Sequence, residues 1–141
     1  MATHTLRRCK ESADQVFLLC DFLVAFTALL ISDIVLLSGK FSAIRSVVNR
    51  IPIKAVLPRT RPLEQTVATF TSASVAYFRT VKCIHRSAAL TCLLRLHGIR
   101  ANFVVGCRSV PFFSHAWVEV NGNAIDQDRE LIAPLAIIDR F

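Results

Sequence analysis

Glycine and proline are scarce, with four and five residues in a chain of 141. That excludes collagen-like and low-complexity chains. Charged residues make up only 19%, while hydrophobic residues reach 53%, above the roughly 45–50% usual for soluble domains. So much apolar surface offsets chain entropy and excludes a disordered protein. One Trp and one Tyr stand beside ten Phe, so the aromatics serve mainly as core. There is no C-x-x-C pair and no H-x-x-x-H, and Cys83 and His85, two apart, lack metal-ligand spacing. Neither metal nor cofactor is expected. The cysteine count is odd (Cys9, Cys20, Cys83, Cys92, Cys107) and no secretory signal is legible, which points to a reducing, cytoplasmic compartment.

Acidic residues are absent from two long stretches. Residues 40–61 hold Lys40, Arg45, Arg50, Lys54, Arg59 and Arg61 without an acid. Six more basic residues, from Arg79 to Arg108, lie unopposed between Glu64 and Glu119, and the net charge is +7. Such a surface attracts anionic partners unless it is simply a solvated face. No nucleic-acid motif occurs and the aromatics do not interleave with the basic runs, so nucleic acid is not an expected partner.

Residues 16–37 form a nearly unbroken apolar run of bilayer-spanning length. Asp21 and Asp33 argue against a simple span, because an acid in hydrocarbon is costly. Two readings stay open: a helix buried in the domain or against a partner, or membrane contact. After Gly39 a short amphipathic helix is expected to end before Pro52, followed by a basic turn with Pro58 and Pro62. The break expected there divides an apolar helical extension, 1–62, from an α+β domain, 63–141. In the second part, Leu63, Val67, Phe70, Val75 and Phe78 predict one helix. A second, buried helix runs from Cys83 to about His97, where Gly98 supplies the stop. Strands follow at 101–107 and 115–120, with 109–113 as a connecting loop, and Asn121-Gly122 is a strong hairpin signal.

Cys83 falls at the N-terminus of the buried helix beside Lys82, His85 and Arg86, where helix dipole and cations favour a thiolate. Core packing is the plainer role for a single cysteine. His115 opens the alternating strand. With a two-residue turn, Val120 pairs with Asn123, Trp117 with Asp126 and His115 with Asp128. Asp126 and Asp128 then share the face of His115 while Gln127 points away, and a bulge would reverse that parity. Thiol, base and orienting acid are the parts of an activated-cysteine triad.

The blocks C-I-H-R-S (83–87), L-L-R-L-H-G-I-R-A (93–101), V-V-G-C-R (104–108) and P-F-F-S-H-A-W-V-E-V-N-G (111–122) resemble one known family. It is the transglutaminase-like cysteine proteases of lasso-peptide maturation, the microcin-processing family of leader peptidases. The resemblance covers about residues 63–141. It implies a papain/transglutaminase-like core, with a nucleophile-bearing helix packed on an antiparallel sheet. It further implies Cys83 as nucleophile, His115 as general base, a thioester acyl-enzyme and no cofactor. The substrate would be a ribosomally made precursor cut between leader and core. A separate leader-recognition protein and an ATP-dependent cyclase would be partners, with the apolar extension and the basic turn as docking surfaces. Where the family carries its Asp, ungapped alignment puts Gln127. Asp126, Asp128 and Gln127 remain the three candidates, and the diagonal placement of the acid in related folds points to Asp126. An acyltransferase or transglutaminase on the same fold, or a non-catalytic membrane-associated binding protein, are the rival functions.

Overall fold

The computed structural model describes residues 2–57 and 62–141, with side chains from Asp14 onward. The basic turn at 58–61, including Arg59 and Arg61, lies outside the described residues. Five helices and four strands follow in the order α1 (Ala2–Leu37), α2 (Phe41–Arg50), α3 (Leu63–Ala76), α4 (Cys83–Leu96), β1 (Ala101–Ser109), β2 (Phe112–Val120), β3 (Asn123–Ile125), α5 (Arg129–Ile132) and β4 (Ala136–Arg140). The strands form one antiparallel sheet in the order β3-β2-β1-β4. The helical layer covers one face of that sheet, an α+β arrangement.

The two acids in α1 are internal anchors. Asp21 is buried, with Oδ1 3.3 Å from His97 Nε2 at the end of α4, although that ring nitrogen is not aligned for a hydrogen bond. Asp33 accepts from Arg79 Nη1 at 2.6 Å and from the Tyr77 hydroxyl at 3.4 Å, and lies 3.2 Å from His85 Nε2. Between them Ala25 and Leu29 join one core cluster with Phe70, Leu93, Leu94, Val118 and Val120. Ile44 and Val48 of α2 pack with Ala88, Phe103 and Ala116. The packing is therefore continuous across the break expected at 62/63, because both clusters draw on elements from either side.

The buried face of α3 is the expected one as far as Phe70, with Leu63 and Val67 packed against the core, and departs from it beyond. Thr66, Thr69, Phe70 and Ala73 are buried, while Val75 and Phe78 are 83% and 68% exposed, and the helix stops at Ala76. Threonines can take the inner face because their hydroxyls bond the carbonyls one turn back, Thr66 to Pro62 and Thr69 to Gln65. Burial of α4 is nearly complete from Ser87 to Arg95. Arg95, 6% exposed, donates to the carbonyls of Ala101 (3.0 Å) and Val48 (2.7 Å), tying α4 to β1 and α2. Burial lowers its pKa. Gly98 takes the expected left-handed conformation at φ +74°, with Ala55 so close that a Cβ would lie 3.1 Å from its methyl.

The segment expected as a loop at 109–113 is a tight hairpin instead. Register runs unbroken from Ala101 opposite Val120 to Ser109 opposite Phe112, and only Val110 and Pro111 lie between the strands. Ala116, Val118 and Val120 face the helices, so by alternation His115, Trp117 and Glu119 face the other way. There Val104, Trp117 and Leu135 form a small second core under α5. Gly106, opposite His115, is required: a Cβ would come within 2.9 Å of the Trp117 ring.

Candidate active site

Cys83 is the first residue of α4, half-buried, and its cap residue Lys82 makes no side-chain bond to the helix end. The N–H groups of a helix's first turn have no intrahelical acceptor and carry the positive end of the dipole. One turn on, Ser87 donates to the Ala116 carbonyl at 2.8 Å, and two turns further Arg95 reaches Ala101, which pairs with Val120. So α4 runs alongside β2, covering about 1.5 Å per residue against about 3.3 Å in the strand. Carried back one turn, that pitch sets Cys83 level with Ser114 and His115, but on the helix-covered face of the sheet, whereas His115 lies on the opposite face with Phe113 and Trp117. Cys83 borders the cluster that includes Ala116, and no hydrogen bond joins it to His115 among the described residues.

The imidazole of His115 stacks on Phe113 at 6.1 Å between ring centres, and Arg108 lies over that phenyl ring. Its Nε2 sits 2.7 Å from Gln127 Oε1. An amide oxygen only accepts, so Nε2 carries the proton and Nδ1 of the neutral ring keeps its lone pair.

The expected partner of His115 was Asp126; the structure puts Gln127 there. The Asn121-Gly122 turn has both residues at positive φ, as a type I′ hairpin needs, and the pairs Val120–Asn123 and Val118–Ile125 form as expected. Pairing ends at Ile125. Asp126 then adopts φ +54°, which breaks the alternation and carries Gln127 onto the His115 face. The Asp126 carboxylate is drawn the other way, to Arg86 Nη2 and the Thr71 hydroxyl. Arg86 is further fixed by donating to Thr71 Oγ1 at 3.0 Å and by lying over the Phe70 ring. Asp128 caps α5, accepting from the Glu130 N–H at 2.9 Å. Arg86, expected as a cation beside Cys83, is paired with Asp126 instead, and the role of Ser87 escaped the sequence reading, since these partners are distant in the chain.

The remaining cysteines differ in setting. Burial pushes the Cys92 thiol up to about 11, so it is an inert core group. His85, two residues past Cys83, is held below its ordinary pKa by burial, with Asp33 pulling the other way and losing. Its Nδ1 is buried without a partner. The folded protein therefore binds this proton less tightly than the unfolded chain does. The resulting stabilisation is complete above about pH 6.5 and is lost as pH falls through the folded value. Denaturant titrations at pH 7.5 and 5.5 should show that acid loss, and His85→Gln should reduce it. An identical pH slope in the variant would refute the assignment.

The sequence pattern of the Transglutaminase-like superfamily matches residues 28–138. The chain belongs to that superfamily. The match begins inside α1, in agreement with the continuous packing across residue 62. This transglutaminase-like chain is also 39% identical over 56 residues to the microcin J25-processing protein McjB of Escherichia coli, a stretch covering 40% of the chain and 27% of McjB. No solved structure matches it.

Proposed function

We propose that this transglutaminase-like protein is a cysteine peptidase that removes the leader from a ribosomally made lasso-peptide precursor. The observations that carry the reading are the His115–Gln127 bond and Cys83 at the open N-terminus of α4, level with each other along β2 although the two side chains lie on opposite faces of the sheet. The similarity to McjB, whose name denotes microcin processing, supports a peptide precursor as the substrate class.

In this mechanism His115 Nδ1 takes the Cys83 proton, and the thiolate attacks the scissile carbonyl. Charge gathers on the carbonyl oxygen, where the Cys83 N–H and the helix dipole favour it. The imidazolium then gives its proton to the leaving amine, the C–N bond breaks and a thioester remains. Water, deprotonated by His115, attacks that thioester and releases the new carboxylate and the thiol. Catalytic contacts tighten when substrate binds, and here the His115 ring must in addition turn from the outer face of the sheet toward Cys83. Gln127 is the positioning residue: it fixes the ring through Nε2 as an amide does in other Cys-His sites.

Mass spectrometry of a lasso precursor incubated with the protein tests the activity. Two fragments summing to precursor plus water are expected. A product joined to an amine would assign an acyltransferase instead. Gln127→Ala should lower kcat on the order of 10–100-fold, the scale of a misplaced catalytic group, while Asp126→Ala leaves kcat within a few-fold. Gln127→Glu should retain activity and move the histidine limb of the pH–rate profile upward, because a carboxylate stabilises the imidazolium. A larger loss with Asp126→Ala than with Gln127→Ala would return the role to Asp126.

A further inference from the structure

Among the described residues one helical stretch, 14–37 of α1, is long and apolar enough to cross a membrane. Its inner side is committed to the protein: Asp21, Ala25, Leu29 and Ser32 are buried against the domain. Crossing a bilayer would carry α3 and α4 into the hydrocarbon with it. The outer side is a different surface. Leu19, Leu23, Leu30, Ile31, Ile34 and Leu37 are exposed, from 38% for Leu30 to 73% for Leu37. This stripe is about 30 Å long at the helical rise. No charged side chain interrupts it, because the acids at 21 and 33 are turned inward to His97 and to Arg79 and His85. A groove of about 290 Å³ between α1 and α2, lined by Leu23, Ile31, Val47 and Ile51 among others, widens the apolar surface.

Charge decides the occupant. Directly after the stripe the chain carries Lys40, Arg50 and Lys54, all exposed, and no acid occurs from 34 to 57. A second copy docked here would bring like charges together, whereas anionic headgroups neutralise them. We propose that α1 lies flat on an anionic phospholipid bilayer, its outer stripe in the acyl boundary and Lys40, Arg50 and Lys54 among the headgroups. This is the geometry of an interfacial helix, not of a spanning one. It is independent of the peptidase reading, since nothing in it involves Cys83 or His115.

Vesicle co-sedimentation of the full chain tests it, with phosphatidylcholine vesicles containing 25% phosphatidylglycerol against pure phosphatidylcholine. The protein should pellet with the anionic vesicles and at least tenfold more weakly with the neutral ones. Arg50→Glu with Lys54→Glu should weaken binding to anionic vesicles by at least tenfold, since each basic residue near such a surface contributes roughly fivefold. Leu23→Glu with Ile34→Glu should abolish it while circular dichroism stays unchanged, both side chains being exposed. Absence of binding to anionic vesicles would overturn the proposal. So would binding that survives the Leu23→Glu, Ile34→Glu change. A wild-type dimer that this pair of changes dissociates, without vesicle binding, would assign the face to a second copy instead.

Discussion

Cys83→Ala is expected to abolish precursor cleavage, lowering the rate on the order of 10⁴-fold or more, as when a catalytic nucleophile is deleted elsewhere. The protein should remain folded. Cys83 is half-buried at a helix start with no hydrogen bond to lose, and alanine is the best helix former. Cys92→Ala gives the contrast, because a thiol pushed up to about 11 by burial is not a nucleophile at neutral pH. That change leaves a small cavity in the core and should spare the chemistry. Mass-resolved time courses for both variants, with thermal melts alongside, separate the two effects. Cleavage by Cys83→Ala at more than a hundredth of the wild-type rate would rule out the thioester route.

Asp33→Ala should be the most damaging single change to stability among the charged residues of α1. Its carboxylate accepts from Arg79 and Tyr77 and holds His85, with 14% of the side chain exposed. Removing it leaves an unpaired cation, a phenol and a buried ring nitrogen. Breaking such a pair costs roughly 3–5 kcal/mol when fully buried. Arg79 is half exposed and screened, so about 2–3 kcal/mol is expected, a fall in Tm of roughly 5–10 °C for a chain this size. The phenol pKa, raised by burial and by Asp33, should relax toward its ordinary value. Asp139→Ala provides the reference: its partner Arg45 is also half exposed, but the pair sits on the surface, where such a bond is worth about 0–1 kcal/mol. Equal losses in the two variants would show that the Asp33 cluster carries no special weight.

What the sequence disclosed was what local chemistry determines. Gly98 stops α4, and Asn121-Gly122 makes the hairpin, because only residues tolerant of positive φ fit those turns. The buried helix was legible because its apolar residues cover its circumference. The hydrogen-bond partner of His115 was not, because the parity of the hairpin depends on Asp126, whose left-handed backbone goes with an anchor at Arg86 and Thr71. Those partners lie 40 and 55 residues away. Asp21 and Asp33 read as interruptions of an apolar run for the same reason, since their histidines belong to another helix. Helix α5, four residues long, and β4, an edge strand whose Ile137 and Ile138 are both exposed, show no periodicity to read.

Arg95 has a consequence for how the molecule comes apart. Its guanidinium satisfies one carbonyl at the end of α2 and one at the start of β1, and among the described residues no carboxylate pairs with its charge to offset burial. Peeling α2 away would strand a cation in the interior with half of its hydrogen bonds gone, a state of higher energy than either the intact protein or the open chain. The N-terminal helices and the sheet are thereby coupled, and a single calorimetric transition is the expected result.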